Sequence, residues 1–80
     1  MLTCQQYDYI EIACMYRYPT RLHLKNGETV EGTAIDTCRN EQQQECIELE
    51  SDGGLHKIVL DQLTKLEVLI ANPNFQEVYF

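Results

Sequence analysis

The sequence predicts one small domain of the α+β class, mainly β: an N-terminal helix followed by five or six antiparallel strands bent into a barrel or sandwich. Three observations carry that prediction. Apolar residues recur with a helical period in the opening stretch, they alternate with a period of two from Thr20 onward, and turn signals cut the alternating part at short intervals. Eighty residues organise a single core, so residues 1–80 form one domain.

In CQQYDYIEIACMY, residues 4–16, a rotation of about 100° per residue places Tyr7, Ile10, Ala13 and Cys14 on one face, a core stripe. Asp8, Glu11, Ile12 and Met15 gather on the other, so acids and bulky apolar side chains share the side that should meet water. The helix is expected over about 5–17, with Thr3 or Gln5 near its N-cap and with Asp8 and Glu11 early enough to favour the positive end of the dipole. Tyr18-Pro19 is expected to end it, because a residue before proline is pushed out of the α region.

From Thr20 the pattern is that of a half-buried strand, with Leu22 and Leu24 on one face and His23 and Lys25 on the other. Asn26-Gly27 predicts a tight hairpin of type I′, whose two central residues both need positive φ. The second strand runs through ETVEGTAID, where Gly32 marks a bend or a close backbone approach. CRNEQQQ, residues 38–44, reads as a polar loop, and ECIELE resumes alternation with Ile47 and Leu49 inward. SDGG is a turn, LHKIVLD and TKLEVLIA are strands joined around Asp61-Gln62, and the terminal FQEVYF is a candidate sixth strand packed through Phe75, Val78 and Phe80.

Thirteen acids against six bases leave a net charge of −7, a field that repels phosphate backbones and anionic membranes and attracts basic surfaces. Direct nucleic-acid binding is therefore not expected. No run approaches the roughly 20 apolar residues that span a bilayer, and no cationic leader precedes an apolar run, so a cytoplasmic protein is expected. In that reducing setting the four cysteines are read as thiols.

The residue inventory offers little chemistry. Cys4, Cys14, Cys38 and Cys46 lack the close C-x-x-C pairing of structural zinc sites, and His23 and His56 lie on separate strands, so no metal is expected. Ser51, in a turn, has no evident base beside it, and no pair of carboxylates sits in a pocket-forming context. Gly53-Gly54 is not followed by the helix start of a phosphate loop, and the six cations are scattered. Neither an enzyme nor a cofactor is predicted.

What remains is the second face of the helix. Its bland reading is a solvated side with Ile12 and Met15 covered by a loop or the last strand. The sharper reading is a docking surface, in which Asp8 and Glu11 meet basic side chains of a partner while Ile12 and Met15 supply burial.

Two resemblances bear on that choice. LKNGETVEGTAID, residues 24–36, resembles the first Sm motif, and IVLDQLTKLEVL, residues 58–69, sits where the second would, although Leu60-Asp61 stands in place of the Arg-Gly type of pair found in RNA-binding Sm proteins. The wider resemblance, over nearly the whole chain, is to the Rof (YaeO) family of Rho-binding antiterminators. It rests on Cys4, Tyr7-Asp8, Glu11 and Ala13-Cys14 in the helix, on Leu24-Lys25, Gly27-Glu28, Ala34 and Asp36 in the hairpin, and on Leu60-Asp61.

That resemblance implies an Sm-like fold that binds transcription termination factor Rho at the primary, N-terminal RNA-binding domain of its subunits, keeps transcript away and so inhibits termination. It implies Asp8 and Glu11 as ion-pair partners of Rho and Tyr7 as a helix anchor or edge contact, with Tyr9 and Gln6 nearby. Asp36 and Asp61 match as well, at turn or strand ends where backbone capping is the ordinary role; Cys4 and Cys14 are expected to pack. A monomer is expected when free. The rival reading is an Sm-like RNA-binding module assembled into a ring through edge strands, and a small enzyme or metal protein ranks third.

Overall fold

The structure is a computed structural model that describes residues 2–80. Helix α1 spans Cys4–Met15, and strands β1 (Pro19–Leu24), β2 (Thr29–Arg39), β3 (Glu45–Ser51), β4 (Gly54–Val59), β5 (Leu63–Val68) and β6 (Glu77–Tyr79) follow, with a 3₁₀ turn at Leu60–Gln62 between β4 and β5. The six strands form one antiparallel sheet in the order β4-β3-β2-β1-β5-β6. The expected mainly-β α+β domain with one N-terminal helix is what the chain builds, and FQEVYF does contribute the sixth strand. Among the described residues no helix is long and apolar enough to cross a membrane.

Thr3 is the N-cap. Its hydroxyl oxygen accepts the Gln6 N–H at 3.1 Å, while Gln6 Oε1 accepts the Thr3 N–H at 2.8 Å, a reciprocal capping box. The helix stops before the expected limit of about residue 17. Arg17 adopts a left-handed φ of 53°, the Tyr18 N–H reaches back to Ala13 O at 3.0 Å, and the Arg17 N–H donates to Cys14 O at 3.2 Å. This Schellman arrangement closes the last turn without help from Pro19, which instead opens β1.

Two turns also differ from expectation. At the first hairpin only Gly27 has positive φ, 89°; its N–H donates to Leu24 O at 3.0 Å and the Leu24 N–H donates to Glu28 O at 2.9 Å. The connection is a three-residue turn with a glycine bulge, not the type I′ turn predicted for Asn26-Gly27. Positive φ at both central residues occurs instead at Asp52 (52°) and Gly53 (78°), between the paired Ser51 and Gly54. The polar loop is shorter than predicted, because Cys38 and Arg39 still pair with Cys46 and Glu45 and so belong to β2.

Strand β2 holds the sheet together: its first half pairs with β1, its second half with β3, and the register shifts between Ala34 and Asp36 around Ile35. Gly32 lies close against β3, and a Cβ there would stand 2.8 Å from Glu50 O. One side of the sheet and the buried face of α1 share a core that includes Ile10, Ala13, Leu22, Leu49, Leu63 and Leu66. Thr20, buried on β1, donates its hydroxyl to Gly32 O at 3.0 Å and so leaves no polar atom unpaired.

Candidate docking surface

Helix α1 packs on β2 through Ile10, Ala13 and Cys14, which turns Asp8, Glu11 and Met15 outward. Met15 is 71% exposed and Tyr16, just beyond it, 56%. Ile12 is half-buried against the core and joins the outer face to the packed one. Neither Asp8 nor Glu11 takes part in an ion pair among the described residues. The face is thus an apolar strip flanked by free carboxylates, the composition that lets charge speed encounter while burial of the strip supplies affinity.

Gln6, Tyr7 and Tyr9 are placed differently. Both ends of the Gln6 side chain are engaged, Oε1 in the capping box and Nε2 donating to Tyr79 O at 3.1 Å. The ring of Tyr9 lies 5.0 Å from that of Phe75, and Asn74 Nδ2 donates to the Tyr18 hydroxyl at 2.7 Å, so these groups fasten the C-terminal segment against the helix. Tyr7 packs against the core and lines a groove of about 440 Å³ with Leu2, Arg39, Gln44, Leu60 and Asp61. The three side chains anchor the helix; Asp8, Glu11, Ile12 and Met15 make its outward face.

Beside that face the fold adds residues that periodicity does not reveal. A second groove, of about 390 Å³, runs between α1 and β2 and is lined by Glu11, Cys14, Met15, Arg17, Ile35, Asp36 and Thr37. The signal that would have found it is the irregularity at Ile35, which a pattern of alternation cannot place. Asp36 does cap backbone, its Oδ1 accepting the Thr37 N–H at 2.8 Å. Burial, with the charges of Asp36 and then Glu11 nearby, pushes the Cys14 thiol up to about 11, so it stays protonated at neutral pH. The partly exposed Cys38 thiol is raised as well, by burial first and the Glu48 charge next.

Elsewhere on the sheet, Arg21, His23, Arg39 and Lys65 meet carboxylates of the same chain, whereas Lys57 on β4 forms no ion pair among the described residues. Arg21 bridges Glu31 at 3.0 Å and Glu67 at 3.7 Å, His23 also bonds Glu67, and Lys65 pairs with Glu77 at 3.0 Å while lying over the Tyr79 ring. Arg39 pairs with Glu45 at 3.6 Å. The His23 hydrogen bond, helped by Lys65 and Arg21, holds the Glu67 carboxyl below its usual range. Among the described residues no three potential metal ligands come together.

Comparison with known proteins gives a consistent set. A family model described as "Modulator of Rho-dependent transcription termination (ROF)" matches residues 1–80. "Protein rof" of Escherichia coli (strain K12) and its counterpart in Shigella flexneri are each 30% identical over 63 residues, 79% of this chain and 74% of theirs. A solved structure of YaeO bound to magnesium, from Vibrio cholerae O395, superposes with a TM-score of 0.88 at 44% identity, covering 94% of this chain and 97% of that one.

Proposed function

The chain belongs to the family of modulators of Rho-dependent transcription termination, and from that premise we propose that it inhibits termination by seating the acidic outer face of α1 on the primary RNA-binding domain of Rho. A site that holds single-stranded RNA presents cations and stacking surfaces. An acidic helix with an exposed apolar strip is a fit competitor for it, and its occupation excludes the transcript without any covalent chemistry.

The observation that carries this reading is the composition of the outer face of α1, exposed carboxylates beside exposed apolar surface. Among the described residues Asp8 and Glu11 form no ion pair, and both stand exposed on the same helical face as Met15, itself 71% exposed. The rival reading, a ring of Sm-like subunits on RNA, finds less support. Strand β6 covers the outer edge of β5, and a net charge of −7 opposes an RNA backbone.

The test is calorimetric titration into purified Rho at two salt concentrations, with and without a pyrimidine-rich oligonucleotide on the primary site. Binding that weakens with salt and is suppressed by the oligonucleotide is expected. Binding indifferent to the oligonucleotide would move the contact elsewhere on Rho, and RNA binding by the chain itself would favour the ring.

A further inference from the structure

The docking face described above stops at Glu11 and Met15, but the molecule does not. The groove between α1 and β2 begins at those two side chains and continues to Ile35 and Asp36 on the strand. Its two carboxylates come from different elements. Glu11 is on the helix, Asp36 follows the register shift of β2, both are exposed, and neither forms an ion pair among the described residues. The Thr37 N–H engages Asp36 Oδ1, which fixes the orientation of that carboxylate.

The remaining lining sorts by chemistry. Met15 and the half-buried Ile35 supply apolar surface, of the kind on which the methylenes of a long basic side chain lie while its charged head reaches a carboxylate. The Cys14 thiol contributes no charge, and Arg17 borders the groove without bridging either acid. Two carboxylates against the one guanidinium of Arg17 leave the groove net negative, and with Met15 and Ile35 beside them they suit a basic side chain.

We propose that this groove receives one basic side chain of the partner, its cationic head held between Glu11 and Asp36 and its stem laid on Met15 and Ile35. The inference rests on the reading of α1 as the docking helix and extends the interface onto β2, to residues that no helical pattern selects. Charge complementarity chooses the occupant: a partner surface built to hold an anionic strand offers arginine and lysine, and a carboxylate pair is what such a side chain meets in place of phosphate.

The experiment is a double-mutant cycle measured by calorimetry on the full chain and purified Rho, with Glu11→Gln, Asp36→Asn and the double variant. Both substitutions remove charge and keep shape, and the amide introduced by Asp36→Asn retains an oxygen for the Thr37 N–H, so folding is preserved; circular dichroism checks it. Each single change is expected to weaken binding about tenfold, and the double change by clearly less than the product, because the two carboxylates share one cation. Strict additivity would mean separate contacts and overturn the shared site. Wild-type affinity for Asp36→Asn, with binding lost on charge reversal at Asp8 and Glu11, would overturn the groove and leave the helix reading intact. Wild-type affinity in every variant, the reversal included, would remove both.

Discussion

Asp8 and Glu11 are the residues on which the proposed activity is most exposed to test. Both are exposed and form no ion pair among the described residues, so reversing them together, Asp8→Lys with Glu11→Lys, is expected to cost Rho affinity about a hundredfold or more with the thermal midpoint nearly unchanged. Unchanged affinity would take the helix out of the interface. Arg17 makes a separate prediction about stability. Its φ of 53° is a conformation that costs a side chain about 1 kcal/mol or more, and Arg17→Gly is expected to raise stability by roughly 0.5 kcal/mol after the freer unfolded chain is subtracted, read as a higher urea midpoint. The outward set Asp8, Glu11, Ile12 and Met15 was legible because helical rotation alone gathers it. The anchoring duties of Gln6 and Tyr9 were not, since each depends on Tyr79 or Phe75, at the far end of the chain, whose position only the fold supplies.

Among the elements, β2 is the one whose integrity decides the rest. Any side chain at position 32 meets Glu50 O, so Gly32→Ala must push β2 and β3 apart and is expected to cost about 1–3 kcal/mol in denaturant unfolding; an effect under about 0.5 kcal/mol would mean the strands part easily there. Strands β1, β5 and β6 are laced on their outer face by Glu67 with His23 and Arg21 and by Lys65 with Glu77. Because the folded chain holds Glu67 below its ordinary value of 4.5, its contribution to stability is present above that value. It is lost as pH falls through the depressed folded value. A urea midpoint that drops below about pH 4.5, and drops less in Glu67→Gln, is the expected record. The strands themselves were legible from alternation, and so was the close approach at Gly32. Turn type was not. Asn26-Gly27 and Asp52-Gly53 carry the same hairpin signal, yet Asn26 stays out of the left-handed region while its side chain accepts the Glu28 N–H at 2.9 Å, and a third residue joins the turn. Helix α1 likewise ends by its own backbone bonds, ahead of the proline expected to stop it.

Across the whole molecule the charges divide into a paired and an unpaired set. Among the described residues Arg21, Arg39 and Lys65 form ion pairs within the sheet, while Asp8, Glu11 and Asp36, where α1 and β2 face outward, form none, and neither do Arg17, Lys25 and Lys57. The net charge and the single domain were plain in the sequence; this division was not, because it follows from strand register, which sets Arg21 opposite both Glu31 and Glu67. Gln6 also closes the molecule on itself: it holds the capped start of α1 to the backbone of Tyr79, so the beginning and end of the described chain meet. A short glycine-serine linker joining residue 80 to residue 1, with new ends opened in the exposed loop at 41–43, would leave every strand pairing and helix α1 in place. Such a circular permutant is expected to keep the circular dichroism spectrum and the Rho affinity of the parent. Loss of affinity in a folded permutant would show that the docking geometry of the helix depends on the native order of the chain.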